Sequence, residues 1–308
     1  MKVSVIVPCY NEEHNIVPFA QELQKVMEDS NLSWEVIFIN DGSGDGTLPA
    51  LKKLCAEKLF PTTVVSFSRN FGKEAAIYAG LQHVTGDITG IIDADLQQKP
   101  SLILEAVQLL QQDAQLDCIS YYQTCLDKGK NKNGRKLFYW FINKLGDVHL
   151  QPGASDFRVF RRNITEALLR MPEYYRFSKG LFPWVGFTTK YVPYKAQLRN
   201  AGESKFSFAK LFAYAIEGIV AFSTFPLRIA TVLGMIISVL AFLYMFMVIF
   251  EKLVFSIDIP GYPTIISLVL LSGGVQLSIL GIIGEYIAKM YIQGKNRPIY
   301  IAKEIIKN

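Results

Sequence analysis

The sequence predicts an α/β protein with a mostly parallel sheet and helices on both faces, followed by an amphipathic interface helix and two transmembrane helices. Three observations support this fold class. The first half of the chain alternates short β-branched runs with segments of helical periodicity, which is typical of parallel sheets with crossover helices. Polar residues follow each of the first four predicted strands. Two long stretches near the C-terminus carry no charged residue.

The first two predicted strands are each followed by a predicted helix. The β-branched run KVSVIVPCY precedes NIVPFAQELQKVMEDS, in which apolar residues recur at helical spacing. The run WEVIFIN predicts the second strand, which ends at the turn-rich stretch DGSGDGT, and TLPALKKLCAEKL predicts the second helix. These segments predict two consecutive βα units.

Two further units follow in the same order. TTVVSFS predicts the third strand and KEAAIYAGLQHV the helix after it. DITGIID predicts the fourth strand, and PSLILEAVQLLQQ predicts a helix with Pro100 near its start. A βαβα series of this kind predicts parallel strands joined by right-handed crossovers.

The polar clusters fall where such a sheet binds ligands. Ligands of open parallel sheets lie beyond the carboxyl ends of the strands. Each cluster alone is compatible with ordinary turn chemistry, but four at matching positions indicate a site. In chain order the clusters are Asn11 and Glu12, Asp41 and Ser43, Arg69 and Asn70, and Asp93 and Asp95.

The carboxylates of Asp93 and Asp95 stand one residue apart after an apolar strand, with Gln97 two residues further on. Like charges repel, so the pair is either a solvated turn or a binding site for a cation. Hard oxygen ligands of this kind suit Mg²⁺ or Mn²⁺, which would bridge to a diphosphate and stabilise the leaving group. The chain lacks both a P-loop and a Gly-x-Gly-x-x-Gly motif after the first strand, which favours a sugar nucleotide.

The C-terminal third predicts a membrane hairpin. Of the 308 residues, 50% are hydrophobic and 19% charged, whereas a soluble domain has about 25% charged residues. No residue is charged between Arg228 and Glu251 or between Asp258 and Glu285, and each stretch is long enough to cross a bilayer. The alternative is a pair of buried helices in a soluble core.

The basic residues predict how this hairpin is oriented. The loop between the two stretches holds one Lys and no Arg, whereas the segment after the second holds Lys289, Lys295, Arg297, Lys303 and Lys307. By the positive-inside rule, we expect the N-terminal domain and both termini to face the cytoplasm of a multi-pass plasma-membrane protein. The cysteines agree with a reduced compartment, since Cys9, Cys55, Cys118 and Cys125 show no metal-ligand or disulfide-rich spacing.

These observations predict four regions. We expect residues 1–204 to form the N-terminal cytoplasmic domain and residues 205–227 to form an amphipathic interfacial helix or linker, whose alternative is a helix packed on that domain. Residues 228–290 form the hairpin, with spans at about 229–250 and 262–284. Residues 291–308 form a basic cytoplasmic tail. A basic loop from Lys128 to Lys136 is either solvated surface or a contact for anionic headgroups or the acceptor.

The quoted motifs carry a resemblance to a known family. VIVPCYNEE, INDGSGDGT, FSRNFGKEAAIYAGL and IIDADLQQKP, in this order, resemble family 2 glycosyltransferases of the GT-A (Rossmann-like) fold. SDFRVFRR, RFSKGLFPWVGF, AGESKFSF and GEYIAKMYIQGKNRPIY are similar to bacterial polyprenyl-phosphate glycosyltransferases, which are related to dolichol-phosphate mannose synthase. The resemblance extends over the whole chain.

The resemblance implies the roles of the donor-site residues. Those expected to bind the nucleotide sugar are Pro8, Tyr10, Asn11, Glu12, Asp41, Ser43, Lys73 and Asp93. Among them, Asp41 and Ser43 would hold the base and ribose. Asp95 and Gln97, with Asp93 beside them, would ligate Mg²⁺ or Mn²⁺, and Asp95 would act in catalysis.

The same resemblance implies the acceptor side. Asp156 matches the position proposed as the base, and Arg199, Ser204 and Lys205 match the segment that meets the acceptor phosphate. A phosphate monoester has its second pKa near 6 and is mostly a dianion at neutral pH, so it needs little help losing a proton. We therefore expect Asp156 to orient groups or tune the local field.

Two positions depart from the usual pattern of this branch. Ser155 stands where Gly is frequent, and Gln98 stands where His or Asp is more frequent. Neither position is a proposed ligand, so we expect activity to be retained.

The implied activity is inverting transfer of glucose or N-acetylglucosamine from a UDP-sugar to undecaprenyl phosphate at the cytoplasmic membrane face. The product would be a lipid-linked sugar for cell-envelope glycosylation. The expected partners are the UDP-sugar, the polyprenyl phosphate and membrane lipid, with no nucleic acid. The resemblance also implies a homo-oligomer (a tetramer), a separate flippase and a downstream transferase.

Two other functions would share part of this sequence pattern. A polysaccharide synthase would share the nucleotide motifs, but it carries Gln-x-x-Arg-Trp and more spans, and Trp184 has no such neighbours. A non-catalytic sugar-nucleotide sensor or flippase scaffold would be expected to lose the metal ligands or the acceptor segment. Both are present in this sequence, which favours the transferase.

Overall fold

The computed structural model describes residues 1–123, 143–144, 151–195, 223–255 and 261–308. The chain divides into two compact units. The first comprises Met1–Gly218 together with Arg297–Asn308, and the second comprises Ile219–Asn296.

The first unit contains a mixed eight-stranded sheet in the order β7-β5-β6-β4-β1-β2-β3-β8. The strands are β1 (Lys2–Cys9), β2 (Ser33–Asn40), β3 (Thr62–Phe67), β4 (Ile88–Ile91), β5 (Cys118–Gln123), β6 (Ala154–Arg161), β7 (Thr189–Tyr194) and β8 (Ala302–Lys307). The central strands β4, β1, β2 and β3 are mutually parallel, whereas β6 and β8 run antiparallel to their neighbours in that block. The predicted mostly parallel sheet is confirmed.

Helices connect these strands and form the second unit. They are α1 (Ile16–Glu28), α2 (Thr47–Glu57), α3 (Lys73–His83), α4 (Ser101–Gln112), α5 (Arg162–Leu169), α6 (Ser178–Trp184), α7 (Phe225–Phe255) and α8 (Tyr262–Gly294). The first four lie where the periodicity predicts them.

The side chains of β1 point alternately to the two faces of the sheet, and helices cover both faces. Val5 and Val7 are fully buried in a cluster with Phe19 of α1, on one face. On the other face, a Cβ added to Gly80 of α3 would lie 2.3 Å from Cγ2 of Ile6. Glycine at this position therefore lets α3 approach the sheet closely.

Strand direction and register bring distant polar segments to one edge of the sheet. The carboxyl ends of the four central parallel strands lie at the same edge. β6 runs the other way, and Arg158 pairs with Ile91 at the end of β4. Asp156, two residues earlier in β6, consequently lies at the edge where Asp93 follows β4.

Strand β8 belongs to the segment that the sequence analysis treats as a basic tail. It pairs antiparallel with β3, with Val64 opposite Ile306. Ile306 packs against the core and Lys52 forms a 2.8 Å ion pair with Glu304, while Lys303 and Lys307 are exposed. Residues of β8 thus alternate between half-buried and exposed, as in an edge strand with one face on the protein.

The second unit consists of α7 and α8. Both helices are long and apolar enough to cross a membrane, over Phe225–Phe250 and Ile265–Gly294. The first starts inside the region expected to be a linker, and the second continues beyond residue 284. The Tyr286 hydroxyl donates a 2.7 Å hydrogen bond to the carbonyl of Ser223.

Two predicted features lie outside the described residues. They are residues 205–222 of the interfacial helix and the basic loop from Lys128 to Lys136.

Candidate active site

The loops after β1 and β2 are joined by reciprocal hydrogen bonds. The Asn11 backbone N–H donates to Oγ of Ser43 at 3.0 Å, and the Gly44 N–H donates to Oδ1 of Asn11 at 3.0 Å. The Glu12 N–H donates to Oγ1 of Thr47 at 2.8 Å. The structure thus brings the first two predicted polar clusters together.

Asp41 lies beneath these loops and fixes the loop that follows β3. Its side chain is buried, and Oδ1 accepts the Phe71 N–H at 2.7 Å while Oδ2 accepts the Gly72 N–H at 3.0 Å. Burial raises the pKa of Asp41 although both hydrogen bonds oppose this. Gly42 has a φ of +63°, and a Cβ there would lie 2.2 Å from the carbonyl carbon of Arg69. Glycine is therefore required where these two loops meet.

The remaining residues expected at the nucleotide pocket surround this junction. Pro8 is the penultimate residue of β1 and is half-buried, and Tyr10, which directly follows the strand, has 49% of its surface exposed. An exposed aromatic ring beside the first two loops offers a surface on which a planar base can stack.

Lys73 joins two carboxylates from distant parts of the chain. Its Nζ lies 2.6 Å from Oδ1 of Asp93 and 2.8 Å from Oδ2 of Asp156. The side chain is the first of α3, whereas the carboxylates follow β4 and lie in β6. A cation does stand between two acidic groups here, but the second acidic group is Asp156.

The pKa values of Asp156 and Lys73 indicate that both groups stay ionised. Burial raises the pKa of Asp156, but the charges of Lys73 and Lys179 outweigh it and hold the pKa at about 2. Burial lowers the pKa of Lys73, and the charges of Asp93 and Asp156 raise it further than burial lowers it. At neutral pH Asp156 is therefore a carboxylate and Lys73 an ammonium.

Asp95 and Gln97 lie on the turn after β4. Oδ1 of Asp95 accepts the Gln97 N–H at 3.1 Å, and Leu96 between them has a φ of +57°. Asp93, Asp95 and Gln97 are all half-buried at the edge of the sheet. This turn holds two carboxylates and an amide oxygen, which suits a divalent ion that takes its other ligands from water and phosphate oxygens.

Within the described residues, no three His, Cys, Asp or Glu side chains lie close enough to hold a metal ion.

The two departures from the family pattern are accommodated. The Ser155 hydroxyl donates to the carbonyl of Tyr121 at 2.8 Å. Gln98 is buried, and its Oε1 accepts the Asp93 N–H at 3.4 Å. Both side chains support the neighbouring strand and turn.

Sequence reasoning missed residues that surround Asp156. Both oxygens of Glu74 accept the Ser178 N–H, at 2.9 and 3.0 Å, and the Ser178 hydroxyl also donates to Glu74. Burial raises the pKa of Glu74, and the bonds from Ser178 oppose this. The contact joins the start of α3 to the start of α6, so that Lys73 and Lys179 stand beside it. Ser178 and Lys179 belong to the segment RFSKGLFPWVGF, which supports the family resemblance but to which the sequence analysis assigns no role.

Arg158 adds a further positive charge to this side of the site. Only 3% of its surface is exposed, and its guanidinium carbon lies 4.3 Å from the centre of the Phe182 ring. Its Nε has no hydrogen-bond partner among the described residues. Its charge helps to lower the pKa of Asp156.

Arg199, Ser204 and Lys205 lie outside the described residues.

Comparison with known proteins gives two family matches. Residues 4–169 match the model described as glycosyl transferase family 2. Residues 225–290 match the model described as the GtrB C-terminal hairpin.

Full-length relatives carry related descriptions. The chain is 38% identical over 308 residues to the prophage bactoprenol glucosyl transferase homolog of Escherichia coli (strain K12), covering 100% of both chains. It is 39% identical over 305 residues to the SfII prophage-derived bactoprenol glucosyl transferase of Shigella flexneri, covering 99% of this chain and 98% of that one.

Solved structures support the fold. Glucosyl-3-phosphoglycerate synthase of Mycobacterium tuberculosis has a TM-score of 0.51 at 22% identity, covering 71% of this chain and 78% of that one. The same enzyme in complex with Mn²⁺, UDP and phosphoglyceric acid has a TM-score of 0.51 at 21% identity, covering 71% and 76%. At this identity the likeness concerns the sheet and its helices alone.

Proposed function

The chain belongs to glycosyl transferase family 2, and from this membership we propose that it transfers glucose from UDP-glucose to a polyprenyl phosphate. Undecaprenyl phosphate is the expected acceptor, because relatives described as bactoprenol glucosyl transferases match nearly the whole chain. The observation that carries the proposal is the Lys73 ammonium between Asp93 and Asp156, at the edge where the nucleotide loops meet. N-acetylglucosamine is the second donor to test.

The donor would occupy the edge formed by the loops after β1, β2 and β4. Asn11, Ser43 and Asp41 would form the base and ribose side, and Asp93 would lie near the diphosphate. Asp95 and Gln97, with Asp93, would hold Mg²⁺ or Mn²⁺. A bound divalent ion neutralises charge on the departing diphosphate.

The acceptor reacts as a dianion. A phosphate oxygen would form the new bond to the anomeric carbon while the bond from that carbon to the UDP oxygen breaks, which inverts the anomeric centre. No proton has to be removed from the nucleophile at neutral pH. Asp156, held as a carboxylate among Lys73, Lys179 and Arg158, would therefore fix the positions of these cations.

The hairpin would place this chemistry at a membrane. We propose a multi-pass plasma-membrane protein with α7 and α8 as spans and the first unit and both termini in the cytoplasm. Residues 205–227 would lie at the interface, and Arg199, Ser204 and Lys205 would meet the acceptor phosphate. We further propose that the protein forms a homo-oligomer. Its partners would be a flippase and a later transferase that uses the lipid-linked sugar for the cell envelope.

The test is transfer by the purified full-length protein. It is incubated with undecaprenyl phosphate, Mg²⁺ or Mn²⁺, and a panel of labelled UDP-sugars, and the lipid is then extracted. We expect label in the lipid with UDP-glucose. Label from UDP-N-acetylglucosamine alone would correct the donor, and no transfer from any of them would favour a non-catalytic sensor.

A further inference from the structure

The segment after α8 returns to the catalytic sheet beside the nucleotide loops. α8 ends at Gly294, and β8 begins at Ala302 and pairs with β3. The Ser68 N–H donates to the carbonyl of Ile301 at 3.0 Å, at the point where β3 ends. The segment is thus fastened to the carboxyl end of β3, which is one of the four strand ends that form the site.

Tyr300 is the aromatic residue of this connection. Its ring stacks on Phe67, with centroids 4.7 Å apart and planes inclined by 22°. Its hydroxyl donates a 2.6 Å hydrogen bond to Oε1 of Gln82 in α3. Phe67 is the last residue of β3 and is almost completely buried. Tyr300 therefore covers the end of β3 with a flat apolar surface.

The ring contacts continue to the loop between β3 and α3, whose backbone N–H groups bind Asp41. The Phe67 ring meets Phe71 edge-on, with centroids 5.7 Å apart, and the Arg69 guanidinium lies 4.3 Å from the centre of the Phe71 ring. Phe71 is the residue whose backbone N–H donates to Asp41. Three aromatic rings thus link the segment after α8 to the carboxylate at the base of the nucleotide loops.

We propose that Tyr300 is a positioning residue for the nucleoside part of the donor. The inference rests on the proposed function, in which Asp41 and Ser43 hold the base and ribose. The stacked ring of Tyr300 sets the position of Phe67 and Phe71, and through them the loop that Asp41 binds. Asp93 and Asp95 follow a different strand, so we expect the diphosphate and metal side to depend on Tyr300 less than the nucleoside side does, although Lys73, which pairs with Asp93, directly follows this loop.

Binding measurements on the full-length protein in detergent test this assignment. The dissociation constants of UDP and of inorganic pyrophosphate, each with Mn²⁺, are measured by calorimetry. We expect Tyr300→Ala to weaken UDP binding by about 3- to 10-fold, the value of one aromatic contact, and to change pyrophosphate binding less than about twofold. Tyr300→Phe keeps the stack and is expected to bind UDP as the wild type does.

The matched control is Ile305→Ala. Ile305 lies in β8 with 48% of its surface exposed and takes no part in the ring contacts. We expect unchanged UDP binding. If Tyr300→Ala fails to fold, Tyr300→Leu, which keeps apolar bulk without a flat ring, takes its place.

A double-mutant cycle separates positioning from general destabilisation. Phe71→Leu retains the backbone N–H but loses the ring. If the rings act in series, the double variant that combines Tyr300→Ala with Phe71→Leu binds UDP about as weakly as the single variant that has the lower affinity for UDP. Additive losses, equal losses of UDP and pyrophosphate, or unchanged UDP binding in Tyr300→Ala would each overturn the inference. A wild-type protein that binds no UDP would instead overturn the proposed donor, and the inference with it.

Discussion

Two carboxylates that are far apart in the sequence share the ammonium group of Lys73. Removing that ammonium leaves Asp93 and Asp156 with like charges close together and without their shared counter-ion. The arrangement makes Lys73 the centre of the site's electrostatics.

We expect Lys73→Met to reduce kcat/KM for transfer at least about 100-fold, because the charges that organise the site no longer balance. Lys73→Arg should retain part of the activity. Steady-state kinetics of lipid glycosylation measure both. The control is Lys52→Met, which removes a lysine from a surface ion pair with Glu304 and should stay within about twofold of wild type. Wild-type rates in Lys73→Met would contradict the proposed role.

The low pKa of Asp156 has a defined consequence for pH. A folded-state pKa of about 2 lies below the ordinary value near 3.9, so the stabilisation from this ionised group is complete above about pH 5. It is lost progressively as the pH falls from about 5 through 2, and it does not change across the neutral range.

We therefore expect Asp156→Asn to lower kcat without altering the shape of the rate–pH profile between pH 5 and 9. Any limb near pH 6 should come from the acceptor phosphate and persist in the variant. The measurement is kcat against pH for both proteins. A limb that disappears on substitution would show that Asp156 acts as a general base.

The start of α3 is connected to the start of α6 by Glu74 and Ser178. Lys73 directly precedes Glu74, and Lys179 directly follows Ser178. Both lysines lower the pKa of Asp156. The pairing therefore sets two short segments in register so that both positive charges face one carboxylate.

We expect Glu74→Gln to lower kcat by about 3- to 10-fold with little change in KM for the donor, because a neutral amide binds the Ser178 N–H less strongly. Kinetics with varied UDP-sugar separate the two constants. Glu166→Gln is the control, since Glu166 forms an exposed 3.4 Å pair with Arg162 in α5. A change in KM alone would contradict a role in holding the lysines.

The membrane orientation is a property of the complete chain and can be tested by labelling. The described cysteines Cys9, Cys55 and Cys118 are buried, which limits background reaction. We expect a membrane-impermeant thiol reagent to label Ser256→Cys, between α7 and α8, in intact cells. The same reagent should label Lys303→Cys only after the cells are opened. The reverse pattern would invert the proposed topology.

Much of the catalytic unit could be predicted because its signals are local. The alternation of strand and helix needs only periodicity, and Asn11, Asp41 and Asp93 each follow their own strand. The partner of Asp93 could not be predicted in this way. It depends on the pairing of Ile91 with Arg158, which carries Asp156 to the same edge.

Strand β8 was missed for a similar reason. Its six residues, AKEIIK, do not alternate in polarity, and they lie in a segment rich in lysine, which indicates a solvated tail when read alone. Only its pairing with β3 shows that one face is buried. The contact between Glu74 and Ser178 likewise joins residues 104 positions apart, and neither side chain has a local signal for it.

The order of the chain gives β8 a consequence for biosynthesis. A ribosome makes both apolar helices after β3 and before the strand that covers its edge. Until Ala302–Lys307 emerges, the backbone of β3 is open to pairing with other chains, which is a known route to aggregation. Completion of the sheet therefore has to wait for synthesis of the hairpin, and a nascent chain arrested before β8 should require chaperone protection.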